Sequence, residues 1–538
     1  MDATGPGRAY NAVSDFVDAN VERGLADKIA FTDPQRTLSY GELQGATCRF
    51  GRGLRTLGLR QESRIVLILL DTVDFPIAFW GAIRAGVIPV PLNTLLTPEQ
   101  YAYMLEDSRA EAVVISASLA KALEPILDRL THLRFAVVAG ADAGSAAPKL
   151  GRLETHRFAD VLTGGTPELW TASTVTDEVA FWLYSSGSTG APKGAKHLHT
   201  SLMATARLYG QGILGFCAED VVFSVAKLYF AYGLGNSMTF PMSVGASTVL
   251  LPDRPTPQSV LEIMRRHSPT LLFGAPTFYG AMLADAEIGR GAGSDRLRLC
   301  ISAGEALPPN FSERWREVVG TEILDGIGST EMLHIFVSNR PGEIRFGTTG
   351  KPVPGYDAKI VDEEGHELGV GEIGELVIRG PSAAEGYWNQ RAKSQRTFAG
   401  EWTHTGDKYI RDEDGFYRCC GRTDDMFKVS GNWVSPFEVE AALISHEAVL
   451  EAAVIGKEDQ DGLIKPKAFV VLKGGYKADE GLFEALKNHV KQHAGLWKYP
   501  RWFEVRADLP KTATGKIQRF KLREEDAVAA APDAGKAA

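Results

Sequence analysis

Between residues 64 and 116, short runs of aliphatic, often β-branched residues alternate with amphipathic stretches in the order RIVLILL, DFPIAFWGAIRAG, VIPVPL, TPEQYAYMLEDSRA and EAVVIS. By periodicity these are strand, helix, strand, helix and strand, an order that builds a parallel sheet covered by helices. The alternation resumes with VVFSVA at 221–226, ASTVLL at 246–251, TLLFGAP at 270–276 and LRLCISAG at 297–304, each followed by helical periodicity, so a second α/β lobe is expected. From about Lys351 the chain changes to period-2 strands and turn dipeptides, KPVPGYDAKIVDEEGHELGVGEIGELVIRG, the pattern of a small antiparallel β unit. The remainder, from near Arg422, reads as a compact α+β domain, with VLEAAVIG and KAFVVLK as strands and FEVEAALISH and GLFEALKNHVKQHA as helices. The expected fold class is therefore α/β: a large N-terminal domain (1–423) of two α/β lobes plus a small β unit, followed by a smaller α+β C-terminal domain (424–538). The Gly-, Ala- and Pro-rich stretch at 139–174 is expected to be a loose surface connection, and the Ala-rich tail after Arg523 to be frayed.

Composition agrees with several packed cores: 538 residues, 44% hydrophobic and 23% charged, a balance that excludes global disorder. Acidic residues outnumber basic ones, 67 to 58, giving a net charge of −9. No block of Lys and Arg offsets that field, so a nucleic-acid partner is not expected. Apolar runs fall short of the ~20 residues that cross a bilayer, and MDATGPGRAYNAVSDF at the start lacks the apolar core of a secretory signal. The five cysteines, at 48, 217, 300, 419 and 420, are odd in number and form no CxxC pair, against a disulfide framework or a thiolate zinc site. The cytoplasm is the expected compartment. His197 and His199, two apart on an expected strand, have no third ligand for zinc in sight. GVGEIG at 369–374 satisfies G-x-G-x-x-G, yet the ELVIRG after it reads as a strand where dinucleotide binding needs a helix N-terminus.

The segment YSSGSTGAPKG at 184–194 puts three glycines, four aliphatic hydroxyls and Lys193 directly after a strand-like run. Exposed backbone N–H groups, hydroxyl donors and an ammonium are what a polyphosphate requires. Pro192 and the absence of Gly-Lys-Ser/Thr exclude a Walker A loop. Further loops of similar character follow: SAGEALP at 302–308, DGIGSTE at 325–331, TGD at 405–407, GRTDDMFK at 421–428 and PKTATGK at 510–516. In this order, and over almost the whole chain, these segments resemble the core motifs of the adenylate-forming superfamily of acyl-CoA synthetases, peptide-synthetase adenylation domains and firefly-type luciferases. KLYFAYGLGN at 227–236 and GSTEMLHIF at 328–336 are similar to the corresponding runs of aryl-CoA ligases of the benzoate type.

The resemblance implies an ATP-dependent ligase that joins benzoate to coenzyme A, giving AMP and pyrophosphate through an acyl-AMP intermediate, with a C-terminal domain that rotates between the two half-reactions. It implies ATP, Mg²⁺ and CoA as co-substrates, no tightly bound organic cofactor, no membrane, and a possible homodimer. Carried over by position, Ser185, Ser186, Gly187, Ser188, Thr189, Gly190 and Lys193 would hold the β- and γ-phosphates. Ala303, Gly304, Glu305, Asp325, Gly326 and Ile327 would shape the adenine slot; many members carry an aromatic where Ile327 stands. Thr330 would add a nucleotide contact, and Glu331 would be the Mg²⁺ ligand and a catalytic residue. Asp407 would accept from the ribose hydroxyls with Arg422 beside it. Lys516 would neutralise the attacking carboxylate and the α-phosphate, an electrostatic role in the first half-reaction. Asp424 falls at the hinge, and Lys428, Ser430 and Gly431 at the CoA channel. Ala231, Tyr232, Gly328, His334 and Ile335 match the acyl pocket, a slot for one flat ring. His334 has two readings, a partner for a ring hydroxyl or amino group and a satisfied core histidine. Alternative acids are 4-hydroxybenzoate, other substituted benzoates and cyclohexanecarboxylate; an adenylation module that loads a carrier protein is the alternative of a different class.

Overall fold

The computed structural model describes residues 7–140, 149–185, 191–291, 294–423, 425–429, 432–460, 463–511 and 517–530. The first lobe carries a five-stranded parallel sheet, ordered Ile88–Pro91, Arg64–Ile68, Ala112–Ser116, Phe135–Ala139 and Glu154–Arg157. Every residue of Ala112–Ser116 and Phe135–Ala139 is buried, which is why these strands read as unbroken apolar runs and not as alternation. Helix Asp74–Arg84 is likewise buried along its whole length, and helix Pro98–Asp107 begins with a capping box in which Thr97 and Gln100 satisfy each other's backbone N–H groups. Of the stretch expected to be a loose connection, residues 141–148 lie outside the described residues, and the rest is more ordered than its composition suggests. Glu154–Arg157 adds the fifth strand and Phe158–Thr163 forms a short helix, anchored by buried Leu150, Leu153, Phe158 and Val161.

Nine strands form the second sheet, in the order Lys351–Pro352, Ile335–Ser338, Ile323–Gly328, Leu299–Ala303, Leu271–Gly274, Val221–Ser224, Ser247–Val249, Ile29–Thr32 and Thr37–Ser39. From Ile323–Gly328 to Ile29–Thr32 the neighbours run parallel, so one edge of the sheet collects their carboxyl ends, where ligands of open α/β sheets bind. Between the lobes, Val179–Ser185 and Lys193–Leu198 pair as a hairpin with Ser185 opposite Lys193, and Gly386–Tyr387 adds a third strand. His199 starts helix His199–Thr205 and is not on the strand with His197.

The antiparallel unit comprises Asp357–Val361, Gly374–Arg379, Trp402–Arg411, Phe398–Ala399 and Tyr417–Arg422. Gly371 takes the left-handed φ of 81° in the turn before Gly374–Arg379, so the GVGEIG run leads into a strand, as its sequence indicates. In the C-terminal domain, strands Val449–Glu458, Ile464–Leu472 and Trp502–Val505 pack with helices Pro436–Ile444 and Glu480–His493 around Val439, Leu443, Val454, Val470, Leu486 and Val490. Of the tail expected to fray, residues 524–530 continue helix Arg519–Ala530, held by buried Leu522 and by Asp526, which accepts from Lys457 at 3.0 Å and Lys467 at 2.7 Å; residues 531–538 lie outside the described residues. No helix among the described residues is long and apolar enough to cross a membrane.

One ion pair locks the first lobe. The fully buried Arg84 donates to Asp18 at 2.6 and 3.2 Å, to Thr47 and Thr171 at 3.2 Å and to the Trp170 carbonyl at 3.0 Å. Asp18→Ala leaves that guanidinium buried without its counter-charge, and urea unfolding is expected to show a loss of about 3 to 5 kcal/mol, whereas Arg129, exposed beside Glu99, changes little when replaced by Ala.

Candidate active site

Glu331 sits in the turn between strands Ile323–Gly328 and Ile335–Ser338, at the carboxyl edge of the nine-stranded sheet. The turn is tightly bonded: Met332 N–H donates to Ser329 Oγ at 3.2 Å, Leu333 N–H to the Thr330 carbonyl at 3.2 Å and His334 N–H to the Met332 carbonyl at 2.8 Å. Leu333 takes φ of 66°, a left-handed conformation that costs a branched residue on the order of 1–3 kcal/mol and that the surrounding bonds impose. His197 reaches Thr330 from the hairpin, its Nε2 2.8 Å from the Thr330 carbonyl, and the Glu331 carbonyl accepts from Ala384 N–H at 2.8 Å.

The Glu331 carboxylate meets the hairpin that carries the phosphate-type loop. Its Oε1 accepts from Ser185 Oγ at 3.0 Å and from Tyr387 Oη at 2.7 Å, and Lys193 Nζ donates to Tyr387 Oη at 3.2 Å. Burial opposes the carboxylate's charge, but the Tyr387 hydroxyl, the Lys193 ammonium and Ser185 outweigh it and hold Glu331 below the usual range. Burial lowers Lys193, with Lys393 and Arg422 acting in the same direction and Glu331 against them. An ionised carboxylate is a hard oxygen ligand suited to a divalent cation, and the ammonium near it suits the phosphate against which such a cation would be held. Both of its side-chain hydrogen bonds among the described residues fall on Oε1. The loop is tied to the first lobe as well: Tyr103 donates to the Pro192 carbonyl at 3.2 Å and Tyr184 to Asp107 at 2.6 Å.

Ala303 ends one parallel strand with Gly304 just beyond it, and Asp325, Gly326 and Ile327 lie on the next, with Ala303 opposite Gly326. Gly304 has φ of 100°, which a side chain would strain. Asp325 is buried with Oδ1 unpartnered, and burial pushes its carboxyl well above the ordinary range. Such an acceptor suits a donor from a bound base. On the antiparallel unit, Asp407 lies opposite Arg422 and accepts from its Nη1 at 2.9 Å. Glu305 accepts from Ile517 N–H at 3.4 Å, so the C-terminal segment after residue 516 touches the loop that follows strand Leu299–Ala303. Lys428 lies on strand Phe427–Val429. Ser186, Gly187, Ser188, Thr189, Gly190, Asp424, Ser430, Gly431 and Lys516 lie outside the described residues.

The acyl-pocket positions converge at the same sheet edge. Ala231 and Tyr232 open the short helix Ala231–Leu234, and Tyr232 Oη donates to the Ile301 carbonyl at 3.1 Å and the Gly274 carbonyl at 3.3 Å. Buried His334 is ringed by Phe240, Tyr209 and Tyr232 at centroid distances of 4.4, 5.6 and 5.6 Å. Its Nε2 lies 3.2 Å from the Tyr232 carbonyl and 3.1 Å from Asn236 Oδ1. Assigned Nε2–H on those acceptors, the neutral ring presents Nδ1 as a buried acceptor with no partner, and burial pushes its pKa down to about 3. Ile335 is buried at the start of strand Ile335–Ser338. At Gly328 the space a side chain would fill is already occupied by its own hairpin: a Cβ there would lie 2.4 Å from the His334 carbonyl oxygen. Sequence reasoning missed Tyr387 and Tyr103; the EGYW run that holds Tyr387 carries no phosphate signature, and its role comes only from pairing with the hairpin.

These features match known proteins. Residues 17–388 match the AMP-binding enzyme family and residues 438–516 its C-terminal domain family. The chain belongs to the AMP-binding family of adenylate-forming enzymes. It is 54% identical over 520 residues to a 4-hydroxybenzoate–CoA/benzoate–CoA ligase of Rhodopseudomonas palustris (96% of this chain, 95% of the relative). To a benzoate–CoA ligase of Thauera aromatica it is 52% identical over 516 residues (96% of each). Among solved structures, a benzoate CoA ligase from Burkholderia xenovorans LB400 superposes with a TM-score of 0.87 at 48% identity, over 96% of this chain and all of that one. An anthranilate CoA ligase in complex with anthranoyl-AMP gives 0.92 at 42% identity, over 99% of this chain and all of that one.

Proposed function

We propose that the protein activates a single-ring aromatic acid, benzoate first, as its adenylate and transfers the acyl group to coenzyme A. Within its family it is an AMP-forming acid–thiol ligase of the aryl-CoA type. The observation that carries the ring-acid reading is the turn at 329–334: it presents Glu331 to the phosphate-loop hairpin and, three residues on, His334 to the aromatic enclosure of Tyr209, Tyr232 and Phe240. A carboxylate is a poor electrophile until it is joined to AMP, so an acid pocket must lie beside the phosphates, and here one turn spans both.

In this reading ATP lies along the edge of the sheet with adenine at Ala303–Glu305 and 325–327, ribose at Asp407 and Arg422, and phosphates on the loop at 185–193. Glu331 and Thr330 face the phosphates; bound there by Glu331, Mg²⁺ would neutralise charge on the leaving pyrophosphate. Lys516 stabilises the charge that gathers between the attacking carboxylate and the α-phosphate. The C-terminal domain, from Asp424, then turns to bring Lys428, Ser430 and Gly431 to the thiol's path.

A second reading, a 4-hydroxybenzoate ligase, is favoured by His334 Nδ1, an acceptor that a ring hydroxyl can satisfy. Steady-state rates with benzoate, 4-hydroxybenzoate, cyclohexanecarboxylate and octanoate, for wild type and His334→Ala, separate the two. Benzoate is expected to give the highest kcat/KM and octanoate almost none, while His334→Ala selectively lowers 4-hydroxybenzoate by about tenfold or more. If 4-hydroxybenzoate wins only when His334 is present, the second reading replaces the first; octanoate outrunning benzoate ends the aryl assignment.

A further inference from the structure

Tyr387 is buried and fixed on several sides. Its strand pairs with the hairpin, placing it opposite Ala195; its N–H donates to Ser394 Oγ at 3.0 Å; its ring packs on Phe398 at 5.3 Å. That sets the hydroxyl between Lys193 and Glu331. A phenol has one proton, and the ammonium can only donate, so the order is set: Lys193 gives to Tyr387, and Tyr387 gives to Glu331 at 2.7 Å. The Lys193 ammonium also rests over the Tyr387 ring, 4.5 Å from its centroid.

We propose that Tyr387 is a positioning residue for the adenylation step, a spacer that keeps the Lys193 ammonium and the Glu331 carboxylate apart on opposite sides of one hydroxyl. Lysine is a flexible point charge, and beside a carboxylate in a sheltered cleft it collapses into a direct ion pair unless something intervenes. A collapsed pair would present neither charge to a magnesium–triphosphate group. Held apart by Tyr387, the ammonium serves the phosphate oxygens and the carboxylate serves the cation.

This inference rests on the nucleotide assignment above, and binding measurements without ring acid or CoA test it apart from turnover. Tyr387→Phe keeps the ring on Phe398 and under Lys193 and removes only the oxygen. Calorimetric titration with Mg·ATP is expected to show Kd rising about tenfold, the scale of losing one hydrogen bond to a charged group. The Kd of AMP, which has no terminal phosphates, is expected to stay within about twofold. In the separated half-reactions KM for ATP rises, and thioester formation from supplied benzoyl-AMP is unchanged. An unaltered Mg·ATP Kd overturns the spacer role, and so does an equal weakening of AMP and Mg·ATP, which would mark Tyr387 as a fold support. If the wild-type protein fails to bind Mg·ATP, the nucleotide assignment falls and the proposal falls with it.

Discussion

Lys516→Ala is expected to abolish acyl-AMP formation while leaving the transfer from supplied acyl-AMP to CoA largely intact. A single positioned donor that meets charge developing in the transition state is typically worth about 3 to 4 kcal/mol, or ~10²–10³ in rate. The division follows from chemistry: the first half-reaction brings a carboxylate onto an anionic phosphorus centre, whereas in the second a thiol attacks an already activated carbonyl. Ile517, the residue that follows it, donates its N–H to Glu305 at 3.4 Å. Pyrophosphate release and thioester formation, measured separately, check the split; equal losses in both would assign Lys516 to something other than the first step.

Glu331→Gln is expected to lower adenylation by about 10²-fold or more, because it keeps the shape of the side chain and removes the charge. The neutral amide can still accept from Ser185 and Tyr387 through its oxygen, so the turn should stay folded. The loss should appear in KM for Mg·ATP as well as in kcat, and raising the Mg²⁺ concentration should recover part of it. Rapid quench of pyrophosphate release across a Mg²⁺ series is the measurement. Full activity with the amide would place the cation elsewhere.

Much of the architecture is legible from the residues because buried parallel strands admit little but aliphatic side chains. Ala112–Ser116, Leu271–Gly274 and Leu299–Ala303 are buried throughout and stand out as apolar runs. Glu154–Arg157 does not, because it is an edge strand with side chains that face partly to solvent, and its anchors Leu150, Leu153, Phe158 and Val161 are diluted among Gly, Ala and Pro. Helix Arg519–Ala530 escaped for a related reason: alanine-rich sequence reads equally as tail or helix until Leu522 and Asp526 find partners in another element.

The site divides in the same way. Loops with a local signature, such as 184–194 and 325–331, are visible in one dimension. Tyr387 and Tyr103 reach the loop across pairings that join residues 194 and 89 positions apart, which no local pattern records. Gly328 shows a different error: the sequence reading gives it room for a ring, whereas its missing side chain admits the backbone of its own hairpin.

The most direct test is a single-turnover mixture of enzyme, benzoate, ATP and Mg²⁺ without CoA, followed by mass spectrometry. One benzoyl-AMP per active site should accumulate with an equal amount of pyrophosphate, and addition of CoA should convert it to benzoyl-CoA and AMP. Release of ADP and phosphate, or preferential formation of octanoyl-AMP when both acids are present, would contradict the assignment.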